Sequence, residues 1–143
     1  MSLMIREARS DDAQRLTLLL EQLGYPTSTE AVARRLERLA TSKVDHVLVA
    51  ELAGKLVGLA TVHVSLSIEH DKPAAKLSAI VVDETHRRRG VGEALVAAVE
   101  AEARARDCCL IFLTTAERRK EAHAFYRSIG FEETGRRFAR VLD

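Results

Sequence analysis

Arg87, Arg88 and Arg89 stand directly before Gly90-Val91-Gly92 in the stretch DETHRRRGVGEAL, residues 83–95, and the residues after Gly90 read as the start of a helix. A helix N-terminus carries partial positive charge and prefers a negative neighbour by about 0.3–1 kcal/mol per group. Three arginines at that end oppose the preference. The sign of the cost reverses when an anion lies among them and the free main-chain N–H groups of the first turn. Gly90 and Gly92 suit this arrangement, because a residue without Cβ lets a phosphate oxygen approach the backbone closely. The chemistry these residue types can do at this spacing is to cradle a diphosphate, although a solvated arginine run ahead of a glycine-started helix has the same sequence. Two other phosphate motifs do not match. There is no Gly-Lys-Ser/Thr of a P-loop, and Leu95 replaces the third glycine of a dinucleotide fingerprint.

Such a cradle needs a strand before it and a helix after it. The apolar run 77–82 predicts a central strand, and Val91, Ala94, Leu95, Ala98 and Val99 form the inward stripe of a following helix. Upstream, residues 4–8 read as a strand. Ser10 caps a helix with Leu16, Leu19, Leu20 and Leu23 at helical spacing, stopped by Gly24 and Pro26. A second helix begins from Thr27, with Glu30 completing a capping box, and runs through Val32, Leu36 and Leu39. Residues 46–52 form a strand joined through Ala53-Gly54-Lys55 to another, in which Ala60, Val62, Val64, Leu66 and Ile68 alternate with Thr61, His63, Ser65, Ser67 and Glu69. Downstream, 108–115 reads as a buried strand, 121–128 as a short helix ended by Gly130, and 136–142 as a last strand. The order β-α-α-β-β-β-α-β-α-β implies a mixed sheet with helices on its faces.

The chain has 143 residues, 47% of them hydrophobic and 30% charged, with only two prolines, the composition of one soluble globular domain spanning 1–143. Its 22 Lys+Arg against 21 Asp+Glu leave a net charge of +1, so no global field attracts nucleic acid or an anionic membrane. Cys108 and Cys109 are adjacent in an apolar run, without the spaced partners of a zinc site, and read as core filler in a reducing compartment. No run approaches 18 apolar residues and no export signal is visible, which predicts a cytoplasmic protein.

Arg87-x-x-Gly90-x-Gly92 after the strand 77–82 resembles the acetyl-coenzyme A signature of the GNAT superfamily of N-acetyltransferases, and AHAFYRSIGF, residues 122–131, resembles its second hallmark, a tyrosine-bearing helix that ends in Gly-Phe. The element order is similar along essentially the whole chain. The resemblance implies an α/β fold of the GNAT type, a mixed twisted sheet of six to seven strands flanked by about four helices, with acetyl-CoA as cosubstrate and no metal. It places the pyrophosphate on the main-chain amides of Arg87, Arg88, Arg89, Gly90, Val91, Gly92 and Glu93. It lays the pantetheine arm beside Ile80, Val81 and Val82 as an added strand, where backbone pairing supplies the affinity. That requires the strand 77–82 to splay from 108–115.

The implied chemistry is direct attack of a neutral amine on a thioester. The site must then remove an ammonium proton, stabilise an oxyanion and protonate a thiolate. A main-chain N–H near Val82 meets the second demand. Tyr126 matches the family's acid, with a reference pKa of about 10 against about 8.5 for a thiol; a packed aromatic beside Phe125 is its structural alternative. Where many relatives carry a carboxylate this chain has Lys76, Leu77 and Ser78, so the base falls to His63 or Glu69, with His70 nearby, or to proton loss through ordered water. Arg119 stands where many relatives have an asparagine. Arg118, Arg119 and Lys120 suit a cofactor 3′-phosphate or plain solvated surface, and His123 lies among them. Arg136, Arg137 and Arg140 fall on a strand that in the family often borders the acceptor or a dimer contact. The expected partners are a small-molecule or peptide amine and a second copy of the chain, without nucleic acid or membrane. A silent acyl-CoA-binding regulatory module is the competing reading.

Overall fold

The computed structural model describes residues 2–115 and 119–142. The chain divides into two compact units, Met1–Phe112 and Leu113–Asp143. The first holds β1 (Leu3–Glu7), α1 (Ala13–Leu23), α2 (Thr29–Ala40), β2 (Asp45–Leu52), β3 (Lys55–Ser65), β4 (Ala74–Val82), α3 (Val91–Ala105) and β5 (Leu110–Phe112), with single 3-10 turns at Ser10–Asp12 and Glu84–His86. The second holds α4 (Lys120–Ser128).

Five strands form one sheet in the order β1-β2-β3-β4-β5. Neighbours are antiparallel except β4 and β5, which run parallel on either side of the α3 crossover. Among the described residues the sheet therefore has five strands and not six to seven. Residues 129–142, expected to contain a last strand, form neither helix nor strand. Strand preference depends on a cross-strand partner, and none pairs with this arginine-interrupted segment among the described residues. The strand expected over 108–115 shortens to β5, which leaves Cys109 exposed and Cys108 half-buried outside any strand. The alternation of β3 also stops at Ser65, the last residue paired to β4, so Leu66 and Ile68 project into solvent from the connection that follows.

Two layers of helix close the sheet of the first unit. Leu16 and Leu19 of α1 and Val32 of α2 pack with Val49, Leu59 and Val81 on one face. At the start of α2 the Ser28 side chain accepts the Ala31 N–H at 3.1 Å, one residue later than the sequence suggests. On the opposite face α3 buries Val91, Leu95 and Val99, and it rides directly over Gly58 of β3. A Cβ built on Gly58 would lie 2.9 Å from Leu95 Cδ1 and 3.2 Å from Val91 Cγ1. That glycine sets how closely the helix approaches the sheet.

The start of α1 depends on a buried charge network instead of the Ser10 cap. Asp12 takes both guanidinium N–H groups of Arg6, each at 2.9 Å, and the Arg9 main-chain N–H at 2.7 Å. Arg6 also reaches Glu51 at 3.1 Å, so β1, β2 and α1 meet on one arginine. The Arg6 hydrogen bonds hold the Asp12 carboxyl below the ordinary aspartate range, against the opposing effect of burial.

Two stability measurements test this packing. Gly58→Ala should lower the denaturant-derived stability by about 1–3 kcal/mol through overpacking against α3, whereas an unchanged midpoint would mean that α3 is not seated as described. A depressed carboxyl contributes stability that is complete above the unfolded value of about 3.9 and is lost as pH falls toward the folded value. Asp12→Asn should therefore cost about 1–3 kcal/mol at neutral pH and flatten the acid limb of the stability curve below about pH 4; equal acid limbs in both proteins would contradict this.

Candidate active site

The opening in the sheet is set by register. β4 pairs with β5 only through Ala74↔Leu110, Ala75↔Ile111 and Lys76↔Phe112. On its other side it pairs with β3 as far as Gly58↔Val82. From Leu77 to Val82, β4 is therefore paired on one side only among the described strands. The Asp83 N–H donates to Val57 O at 2.8 Å. Because main-chain direction alternates along an antiparallel pair, Val81 also turns its N–H and C=O to β3, while Ile80 and Val82 turn theirs to the open side. The Val81 side chain lies in the core below. The Val82 carbonyl accepts Arg87 Nε–H at 3.2 Å, which folds the first arginine of the loop back over the strand end. A bulge interrupts β4 at Ser78, because Thr61 pairs with Ala79 while the adjacent Val62 pairs with Leu77. The bulge shifts which side chains each face receives at the point where the ladder to β5 has ended.

The loop beyond Val82 presents its main chain. Arg88 has φ +64° and Gly90, the N-cap of α3, has φ +82°. Left-handed residues at alternate positions gather successive N–H groups into a concave nest. No side chain caps α3 at Gly90. Among the described residues no acceptor meets the amides of residues 87–93. A Cβ built on Gly90 would meet nothing within 4 Å, so the glycine serves the backbone conformation there and borders open space. Arg87, Arg88 and Arg89 are all exposed and carry no ion pair among the described residues. Val91 begins the buried stripe of α3, Gly92 is half-buried and Glu93 faces solvent. Together these groups form an exposed, cationic, donor-rich loop at the end of a strand with an open edge.

Asp83 anchors this loop. It is 7% exposed. Its carboxylate accepts Gln22 Nε2–H at 2.9 Å and Thr85 Oγ1–H at 2.8 Å, with His86 Nδ1 at 3.0 Å. These donors hold its carboxyl far below the ordinary range, the Gln22 and Thr85 bonds having the largest effect.

Of the expected bases, His63 lies on β3 with its side chain 43% exposed, and its Nδ1 is 2.7 Å from Asp45 Oδ1. A carboxylate only accepts, so Nδ1 carries a proton, and in the neutral ring Nε2 is the nitrogen with the lone pair. Asp45 is in turn held by Ser42 Oγ–H at 2.7 Å, which together with His63 keeps its carboxyl below the ordinary range. Asp45, His63, Lys76 and Phe112 are successive register partners across four strands, the last full row before the sheet opens. Glu69 and His70 do not share this position. Both are exposed in the connection after β3, so Glu69 is not on the polar face that carries His63.

In the second unit Tyr126 is buried, packed against Phe125 with ring centroids 5.6 Å apart and edge-on to Phe131 at 5.9 Å. Burial pushes its phenol upward, with Arg119 opposing. The Gly-Phe ending has a local cause. Gly130 at φ +98° turns the chain so that the Phe131 N–H reaches Tyr126 O at 3.0 Å and closes the helix. Arg119 is the N-cap residue of α4, and its carbonyl accepts the His123 N–H at 3.1 Å. Arg118 lies outside the described residues. Asp45, Gln22 and Asp83 are participants that sequence reading does not single out. Asp45 meets His63 only through the β2–β3 register, and the Gln22–Asp83 bond joins residues 61 apart.

The chain matches the acetyltransferase (GNAT) family over residues 4–131. It is 36% identical over 121 residues to glucosamine 6-phosphate N-acetyltransferase 1 of Oryza sativa subsp. japonica, covering 80% of the chain and 72% of that protein. It is 27% identical over 143 aligned residues to the aminoalkylphosphonate N-acetyltransferase of Salmonella typhimurium, covering 96% and 90%. Among solved structures, an aminoglycoside N-acetyltransferase in complex with CoA shares the fold with a TM-score of 0.87 at 22% identity, over 99% of the chain and 95% of that structure. The open edge of β4, the amide nest at the start of α3 and this family match agree: the chain belongs to the GNAT acetyltransferase family and is an acetyl-CoA-dependent N-acetyltransferase.

Proposed function

We propose that the protein moves the acetyl group of acetyl-CoA to a primary amine of a small molecule or peptide by direct attack, with His63 as base and Tyr126 as acid. The observation that carries this reading is the row of main-chain N–H groups without a partner among the described residues, at Ile80 and Val82 and then along residues 87–93. Buried or half-buried amides need partners, and this row suits an extended amide-bearing arm ending in a diphosphate. The donors of residues 87–93 and the side chains of Arg87, Arg88 and Arg89 would hold the two phosphates, and Ile80 and Val82 the arm. When bound, the cosubstrate supplies an activated acyl thioester. In this reading the whole of 1–143 is one catalytic domain, which the family match across both units supports.

The residues of this chain have three tasks. His63 takes a proton from the incoming ammonium at Nε2, because Asp45 fixes the other ring nitrogen as the donor. The outward N–H of Val82 faces the open side, where it can donate to oxygen that gains negative charge. Tyr126 delivers a proton to the departing sulfur; a phenol is protonated at neutral pH at its ordinary value of about 10, and burial, which moves Tyr126 upward, leaves it so while making it a weaker donor. Glu69 is the weaker choice of base, since it is exposed in a connection beyond the paired part of β3, whereas Asp45 orients His63 at 2.7 Å.

The two curated relatives are named for amines that also bear a phosphonate or a phosphate. Exposed Arg136, Arg137 and Arg140 in this chain would favour an anionic acceptor of that kind. An acceptor screen for thiol release from acetyl-CoA tests the whole reading, comparing 2-aminoethylphosphonate, glucosamine 6-phosphate, an aminoglycoside and a peptide N-terminus. Amine-dependent release with at least one of them is expected, and none with any primary amine would leave only the silent binding module.

Two variants test the roles. His63→Gln should lower kcat/KM for the amine by roughly a hundredfold or more at neutral pH while CoA affinity holds, and Asp45→Asn should give a smaller loss in the same parameter. Full activity in His63→Gln would remove it as base. Tyr126→Phe should slow the chemical step by roughly a hundredfold or more, with CoA affinity nearly unchanged; an unaltered single-turnover rate would return Tyr126 to a packing role.

A further inference from the structure

We infer that Gln22, on the last turn of α1, is a positioning residue for the diphosphate cradle, clamping the turn from which residues 87–93 project. The inference rests on the reading that this loop holds a diphosphate. It is carried by geometry on both sides of one peptide bond. Gln22 Nε2–H donates to Asp83 Oδ1 at 2.9 Å, and Gln22 Oε1 accepts the Glu84 N–H at 2.9 Å. The carboxamide cannot be reversed, because a carboxylate only accepts and a main-chain N–H only donates. Each end of the Gln22 amide thus has one partner, and the two bonds together fix the orientation of the 83–84 peptide.

The remaining bonds at Asp83 extend the clamp in both directions. Its N–H is tied to Val57 O at 2.8 Å, and its carbonyl accepts the His86 N–H at 2.8 Å. Its carboxylate also gathers Thr85 and His86 of the 3-10 turn. One residue past that turn the chain enters the segment in which Arg88 adopts φ +64°. A non-glycine residue keeps such a backbone only where its surroundings over-determine it. The pins on that turn are β3, through Val57, and α1, through Gln22. Gln22 is itself exposed. An exposed side chain that completes the shell of a buried carboxylate contributes little to the core of α1, which is built from Leu16 and Leu19. Its role is to aim the loop.

The test uses the full chain with Gln22→Met, which keeps side-chain length and helix preference but removes both bonds. Affinities for CoA and for pantetheine, which lacks the diphosphate, are measured by calorimetry or ligand-observed NMR, with the melting temperature alongside. CoA affinity should fall about tenfold, the scale of losing a hydrogen bond to a charged group, while pantetheine affinity stays near that of the parent and the melting temperature drops only by the few degrees that a donor lost from the buried Asp83 carboxylate entails. Unchanged CoA affinity overturns the inference. Equal weakening of both ligands also overturns it, with or without a lowered melting temperature, because a general structural role would then suffice. The parent reading fails separately, when the unsubstituted protein binds CoA no more tightly than pantetheine.

Discussion

The ladder between β4 and β5 ends after Lys76↔Phe112, and the rest of the candidate site depends on that stop. A parallel pair that continued would consume the outward N–H and C=O groups of Ile80 and Val82. Because it stops, β4 keeps β3 as a rigid support on one side and offers main-chain hydrogen bonds on the other. An exposed strand edge is ordinarily a liability that proteins cover or charge. Here the edge leads straight into three arginines and an uncapped helix, so the surface that would attract another strand instead suits a ligand with amides along its length and negative charge at its end.

Two devices make the opening usable. Gly58 lets α3 sit close on the sheet, which holds the helix N-terminus at the end of β4. Asp83 binds the intervening turn to β3 and α1 at once. The resulting amide nest is arranged before any ligand arrives, so little ordering remains to be done on binding. The proposed acid and base also have local support. His63 has its Nδ1–H held by Asp45, and the Tyr126 ring packs against Phe125 and Phe131.

The candidate anion-binding loop stands out in the sequence because it departs from a local rule: arginines at the positive end of a helix are unfavourable unless an anion joins them. The apolar runs likewise reveal the central strands, since burial on both faces or one face leaves a clear period. The segment 136–142 holds strand-favouring Phe138 and Val141 but has no strand partner among the described residues, and the alternation of β3 likewise runs on through Leu66 and Ile68 past its last paired residue. The end of the β4–β5 ladder, the Ser78 bulge and the Asp45–His63 bond are matters of register between segments distant in sequence. The type of a residue does not encode the row in which it pairs, so no single-sequence pattern discloses them. The Gln22–Asp83 clamp leaves no mark in the sequence either, because an exposed glutamine on a helix has an ordinary appearance.

In the proposed reading, main-chain N–H groups from the outward edge of β4 through the start of α3 receive the cosubstrate. Residue-resolved amide NMR of the labelled protein titrated with CoA tests it most directly. The largest shifts should fall on the amides of residues 87–93, and hydrogen exchange should slow at Ile80 and Val82. Saturating CoA that leaves those amides unmoved while others shift would contradict it.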